Sequence, residues 1–250
     1  MDIKKYRVLD TPVHGVSMDQ AVDFIDEYIA IPDSLLGYVL AVNPEKVFVL
    51  RKDAFLKDFF EKATLLVCDG VGMVKALRFL YGVKITRVPG ADLMQQLCDR
   101  AAKRGYKIFI YGASEDVNAR ACDELRKRYP GILIVGRENG FVSKDDMPML
   151  VEKINASQAQ ILFVAMGSPR QERWLADWSG QLQTVKICQG IGGTLDTIVG
   201  TVKRAPLSWQ KWGLEWLYRL LKQPSRAGRQ INLLIFVWEV LMAKCKREQS

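Results

Sequence analysis

Five short segments of this 250-residue chain place polar side chains beside glycine or proline, where proton, hydroxyl or phosphate chemistry needs them. Asn43-Pro44-Glu45 follows an apolar run. Asn43 there is a natural helix cap with Pro44 at the first helical position. The same placement aims an amide and a helix N-terminus at whatever lies beyond the strand. Cys68-Asp69-Gly70-Val71-Gly72 also ends an apolar run. Asp-Gly is common in plain turns, but a carboxylate at a cleft rim can also take a proton from a hydroxyl. Gly167-Ser168-Pro169-Arg170-Gln171-Glu172 reads as a capping box of Ser168 and Gln171 around Pro169. Alternatively, the free N–H groups of that helix start bind a phosphate or sugar, with Gln171 assisting. In Gly190-Ile191-Gly192-Gly193-Thr194-Leu195-Asp196 the glycines let backbone approach an anion, and Asp196 can orient a ribose or sugar hydroxyl. Gly112-Ala113-Ser114 is a weaker site of the same kind. None has the spacing of a dinucleotide fingerprint or a P-loop.

These segments need a scaffold that brings them together. Apolar runs at 38–43, 63–68, 107–112, 132–136, 161–167 and 185–190 alternate with helical patterns beginning near Pro44 and over about 91–104, 115–128, 144–157 and 169–179. Short continuous apolar strands separated by helices imply a parallel sheet covered on both faces. The expected fold class is therefore α/β: a doubly wound, mostly parallel, Rossmann-like sheet over residues 1–200. Residues 201–250 form a C-terminal basic, Trp-rich helical appendage. Open sheets of this type bind ligands beyond the C-terminal ends of their strands, where the polar segments fall.

Composition narrows the function classes. The chain is 49% hydrophobic and 26% charged, which suits a globular core and excludes bulk disorder. Five cysteines with no C-x-x-C pair argue against a disulfide framework or a zinc site and fit a reducing cytoplasm. The lone His14 cannot build a histidine metal site. The first residues show no apolar signal core. Residues 201–250 carry ten Lys/Arg against three Glu, so +7 of the net +8 lies there, with four of the six tryptophans. Such a tail expects an anionic partner: lipid headgroups, pyrophosphate or nucleic acid. Its apolar stretch 231–243 is too short for a bilayer, which takes ~20 residues, and suits a helix in the membrane interface. Arg219, Arg226 and Arg229 read either as a solvated basic face or as a guanidinium cluster for a pyrophosphate; Pro224 breaks the helix between the first and the other two.

Taken together, the ordered motifs resemble the WecG/TagA/CpsF glycosyltransferases (glycosyltransferase family 26) over residues 7–230. They are Val42-Asn43-Pro44-Glu45, Asp69-Gly70-Val71-Gly72, Arg87-Val88-Pro89-Gly90-Ala91-Asp92, Gly167–Glu172, Gly190–Asp196, Lys203-Arg204-Ala205-Pro206, Gly213–Leu220, and Pro224-Ser225-Arg226 with Arg229. One departure is Ala41, two before Asn43, where family members often carry Thr; it bears on the identity of the donor.

The resemblance implies an inverting, metal-independent transfer from a UDP-sugar to an undecaprenyl-diphosphate-linked sugar at the inner face of the cytoplasmic membrane. The donor sugar would be N-acetylmannosamine, its uronate, glucose or glucuronate, and no cofactor or nucleic acid is involved. By resemblance Asp69 is the general base. Asn43 and Gln171 contact donor or acceptor, Arg87 and Asp196 line the site with Gly112, Ser114, Gly192 and Gly193, and Arg219, Arg226 and Arg229 meet the lipid diphosphate. Homo-oligomerisation is compatible with this reading. Two rivals are a nucleotide-sugar epimerase or dehydrogenase, for which neither the glycine fingerprint nor a Tyr-x-x-x-Lys arrangement is convincing, and a basic membrane- or nucleic-acid-binding adaptor, which leaves the strand-end motifs unexplained.

Overall fold

A computed structural model of the chain describes residues 3–32, 34–202, 205–206, 208–209, 217–218 and 227–248, with backbone alone for 227–231 and 246–248. It opens with an antiparallel hairpin, β1 (Lys5–Val8) and β2 (Thr11–His14), joined through Leu9 and Asp10. Both turn residues have positive φ, the backbone twist that two-residue hairpins favour. Helix α1 (Met18–Ala30) starts at a capping box made by Ser17 and Gln20.

The core is one six-stranded sheet in the order β4-β3-β8-β7-β5-β6, with every neighbouring pair parallel. Its strands are β3 (Gly37–Val42), β4 (Leu65–Cys68), β5 (Lys107–Gly112), β6 (Leu133–Glu138), β7 (Ile161–Ala165) and β8 (Ile187–Gly190). β4, β7 and β8 are buried at every position, as unbroken apolar runs between two helical layers must be. The doubly wound α/β class read from the sequence is the observed fold.

The connecting helices are α2 (Pro44–Lys52), α3 (Ala54–Glu61), α4 (Val71–Tyr81), α5 (Gly90–Arg104), α6 (Glu115–Arg128), α7 (Met147–Ala156), α8 (Arg170–Trp178) and the short α9 (Thr194–Ile198), and α10 (Ala227–Glu248) closes the chain. Side chains alternate across the sheet, so two cores result. One, holding Leu40, Leu66, Tyr111 and Cys188 of the strands, packs α2, α3, α4, α7, α8 and Phe236 and Val240 of α10. The other, holding Val39, Ile110, Phe163 and Ile187, packs α1, α5, α6 and α9.

Three elements at the N-terminal half lack a counterpart in the sequence reading: the β1–β2 hairpin, α1 and α4. The helix expected from Pro44 is in fact two. Asp53 ends α2 and caps α3 by accepting the Leu56 N–H. The hairpin covers the β4 edge, where buried His14 accepts the Leu66 N–H on Nδ1 at 2.9 Å. Edge amides left bare invite pairing with other chains, so this contact both satisfies and blunts the edge. On the opposite side of the sheet a network staples α1 to α5. There Asp26 accepts from Arg100, Arg104 and the Tyr106 hydroxyl.

Winding direction sets where the site lies. The chain runs outward from β3 to β4, crosses to β5, runs outward to β6, and returns through β7 and β8 to the middle. That reversal opens a crevice above the carboxyl ends of the central strands.

Candidate active site

Because all six strands are parallel, their carboxyl ends share one rim. That rim carries Asn43 after β3, Asp69 after β4, Gly112 to Ser114 from the end of β5, Gly167 to Gln171 after β7 and Gly190 to Gly193 from the end of β8. Helices α2, α4, α6 and α8 begin there, and α5 begins beside Asp69. Each helix start carries a partial positive charge and free N–H groups, so the rim favours an anionic ligand.

Asp69 and Asn43 are neighbours: they follow Val42 and Cys68, register partners on adjacent strands. The Asp69 N–H donates to the Val42 carbonyl at 2.8 Å. Its carboxylate Oδ2 lies 3.4 Å from the Gly90 N–H, at the first turn of α5. Pro89, the residue before that helix, offers no side-chain cap, so the carboxylate from β4 stands in that place. Asp69 is thus half-buried where the N-termini of α4 and α5 converge. The Val88 N–H donates to Cys68 O at 2.9 Å and lays the Arg87–Val88 segment along the end of β4, with Arg87 half-buried beside it. Next to Asp69, burial pushes the Cys68 thiol up to about 12, and the neighbouring carboxylate adds to the rise. Cys68 is therefore no nucleophile at neutral pH.

The start of α4 is built for close approach. Gly70 has φ 107° and caps the helix without a side chain. A Cβ on Gly72 would stand 2.8 Å from Pro44, and Leu233 and Phe236 of α10 lie just beyond. The α2 and α4 N-termini and the final helix therefore meet directly behind Asp69.

Asn43 caps α2 as expected, its Oδ1 accepting the Lys46 N–H at 2.8 Å. The capping box expected at Ser168 and Gln171 does not form. Helix α8 begins at Arg170 with no side-chain cap, and the Ser168 hydroxyl instead faces the Lys46 ammonium at 2.6 Å. Gln171 is buried, and its two amide ends are both engaged. Oε1 accepts the Gly192 N–H at 3.1 Å, while Nε2 points at Glu172 Oε1 at 3.5 Å. Gly190 leaves room beneath it, since a Cβ there would sit 2.5 Å from the Gln171 amide and displace it.

The glycine loop leaves Gly193 exposed with Asp196 half-buried beside it. Gly112 and Ser114 turn out to have structural tasks. A Cβ on Gly112, at φ 122°, would overlap the Ala165 carbonyl of β7, and Ser114 Oγ accepts the Val117 N–H to cap α6. Buried Asn118 donates to the carbonyls of Gly112 and Glu138 and so ties the ends of β5 and β6 together.

Four residues of this rim are absent from the sequence-derived set. Lys46 and Glu172 form a pair at 3.4 Å, with 12% and 1% of their side chains exposed. Gln189 of β8 donates to the Gly90 carbonyl at 2.9 Å, so Gly90, whose N–H meets Asp69, is held on both sides. Phe141 is 75% exposed on the loop after β6, which is fastened to the rim by Gly140 N–H to Ala113 O. Glu172 stands in a quoted motif, but nothing in its spacing shows which way α8 turns it. The others carry no local signal.

Arg219 and Arg226 lie outside the described residues, and Arg229 is described by its backbone alone, in α10. Among the described residues no three His, Cys, Asp or Glu side chains converge as a metal ion would need. The model of the glycosyl transferase WecG/TagA/CpsF family matches residues 6–250, nearly the whole chain. With an α/β fold whose strand ends gather Asn43, Asp69, Gln171 and the glycine loop on one rim, the chain belongs to the WecG/TagA/CpsF family of glycosyltransferases.

Proposed function

We propose that the protein transfers a sugar from a UDP-sugar to an undecaprenyl-diphosphate-linked saccharide in cell-surface polysaccharide synthesis, with inversion and without a metal ion. The donor is a UDP derivative of N-acetylmannosamine, N-acetylmannosaminuronate, glucose or glucuronate. The observation that carries this reading is the position of Asp69, a carboxylate at the end of β4 between two helix N-termini and beside Asn43.

In this reading Asp69 accepts the proton of the acceptor hydroxyl. The freed oxygen electron pair attacks the anomeric carbon from the face opposite the diphosphate. The bond from that carbon to the diphosphate oxygen breaks, and UDP leaves with the electron pair. Negative charge grows on the departing phosphate, and preorganised dipoles stabilise it without reorganisation. The N-termini of α2, α4, α5 and α8, with Arg87 and the Gly193 backbone, supply those dipoles and charges, and Asp196 holds a hydroxyl of the nucleoside or sugar. The exposed ring of Phe141 offers a face for the flat base. Arg219, Arg226 and Arg229 take the acceptor's lipid diphosphate.

The acceptor is a lipid, so the enzyme must work at a membrane surface. Among the described residues no helix is long and apolar enough to cross one. Helix α10 nevertheless exposes Leu234, Ile235, Val237, Trp238, Leu241 and Met242, a face suited to the bilayer interface, in the most basic part of the chain. This supports docking at the inner face of the cytoplasmic membrane.

The test is to measure UDP release from a panel of UDP-sugars, without added metal, in the presence of a polyprenyl-diphosphate-linked sugar. Acceptor-dependent release with one donor is expected. Asp69→Asn should lower its rate by roughly 10²–10⁴-fold, the usual weight of a general base. An Asp69→Asn variant as fast as the parent would remove Asp69 from the reaction, and a chain that binds no UDP would overturn the reading.

A further inference from the structure

Beneath the Gly190–Gly193 loop lies a chain of polar contacts that the transfer reaction as described does not use. Lys46, in the first turn of α2, reaches across to α8. There its ammonium meets the Ser168 hydroxyl at 2.6 Å and Glu172 Oε1 at 3.4 Å, above the Phe60 ring at 5.1 Å. Glu172 Oε1 is also the atom that faces the Gln171 amide nitrogen, and Gln171 Oε1 in turn holds the Gly192 N–H. Glu172 Oε2 is buried and has no hydrogen-bond partner among the described residues. A carboxylate only 1% exposed and half satisfied is costly. Such a group is poorly explained by stability alone, since an apolar pair of similar size would serve the packing as well or better.

An amide has two nearly isosteric ends, and its orientation decides whether it accepts from or donates to the glycine loop. Glu172 can only accept. It therefore forces Nε2 of Gln171 toward itself and Oε1 toward the loop, which fixes the Gly192 peptide with its N–H pointing inward. Lys46 supplies the counter-charge beside the buried Glu172 carboxylate at 3.4 Å, and it ties the helix that Asn43 caps to the same point.

We propose that Glu172, paired with Lys46, is a positioning residue for donor binding: through Gln171 it holds the glycine loop in the shape that receives the nucleotide diphosphate. This rests on the reading of the rim as a UDP-sugar site. It predicts that the acceptor atom at position 172, and not the charge pair as a packing unit, sets donor affinity.

The experiment compares the full chain with Glu172→Leu, Glu172→Gln, Lys46→Met and the double variant Lys46→Met/Glu172→Leu. UDP affinity is measured by calorimetry, donor KM and kcat by UDP release, and folding by thermal melting. Glu172→Leu should weaken UDP binding and raise donor KM by roughly ten- to a hundredfold, the weight of a charge-assisted hydrogen bond, with a smaller change in kcat. Glu172→Gln, which keeps an acceptor oxygen, should stay within a few-fold of the parent. Lys46→Met should melt earliest, because it leaves a buried carboxylate without its counter-charge. In the double variant the melting temperature should recover while UDP affinity does not. Recovery of both together would show that the pair only packs and would overturn the proposal, as would a Glu172→Leu variant that binds UDP like the parent. If the parent itself binds no UDP, the failure is that of the proposed function and not of this relay.

Discussion

Asp69 and His14 meet strand β4 in two different surroundings. Asp69 stands at its open end, where two helix starts attract negative charge, and so it is placed to work as a carboxylate. His14 meets the middle of β4 from outside, buried, with Nδ1 used as an acceptor for the Leu66 N–H. An acceptor nitrogen cannot hold a proton, and burial together with nearby Lys5 lowers the His14 pKa to about 4. The folded value thus lies below the ordinary 6.5, so the unfolded chain binds more protons between about pH 6.5 and 4. Stability from this residue is complete above that window and is lost as the pH falls through it, by roughly 3 kcal/mol at most. Melting temperatures measured from pH 7.5 to 4.5 should therefore fall. In His14→Asn, which keeps an acceptor near the Leu66 N–H, they should fall less over the same range. Equal slopes would show that His14 is not the titrating group. Asp26 acts at lower pH. Burial pushes its pKa up, but hydrogen bonds from Tyr106, Arg100 and Arg104 outweigh that and leave it below the ordinary carboxylate value. Its contribution to stability is present above that ordinary value and is lost as the pH falls further.

Among elements, α10 combines a buried face with a bare one. It spans 22 residues, and Phe236 and Val240 of this helix are buried in the same core as α2 and α4. Glu239 pairs with Arg51 of α2 at 2.7 Å, an exposed contact worth little by itself. The packing, not the ion pair, anchors the helix. Phe236→Ala should accordingly cost about 3–5 kcal/mol in urea unfolding, the range for removing a buried aromatic ring. Leu234→Ala, two residues away on the bare face and 73% exposed, should stay within about 0.5 kcal/mol. Comparable losses in the two variants would mean that α10 does not pack in this way. Deleting residues 201–250 would also uncover the apolar faces of α2 and α4 that Phe236 and Val240 cover. Point variants are therefore the cleaner way to separate anchoring from catalysis.

At the scale of the molecule, charge and apolar surface are both polarised toward the C-terminus. The helix that closes the chain has one face in the core and the other bare, directly behind the strand end that carries Asp69. A lipid surface meeting that bare face would lie close to the rim where a lipid-linked acceptor has to arrive. Sedimentation with vesicles of anionic phospholipid should carry the protein down, less so as salt is raised. The double variant Trp238→Ala/Leu241→Ala should bind several-fold more weakly with an unchanged melting temperature, because both residues are largely exposed. Binding equal to the parent would place the membrane contact elsewhere.

The sequence by itself determined the layered α/β architecture and the rim. Unbroken apolar runs as short as 161–165, alternating with helical patterns, read as buried strands, and a polar residue directly after such a run, Asn43 or Asp69, then stands at a strand end. Helix α6 could be read to its ends because Ser114 caps it and Arg126 to Arg128 close it, signals local to the chain. Tertiary structure alone decided what depends on residues far apart. Ser168 and Gln171 satisfy a capping box in sequence, yet Lys46, 122 positions before Ser168, and Gly192 compete for them and win. The same holds for Glu172 and Gln189, whose roles follow from which way a helix or strand turns them toward α2 or α5. The fate of α10 was likewise not local. An amphipathic helix announces an apolar face, but only the bare flanks of α2 and α4 could say that part of that face would be covered.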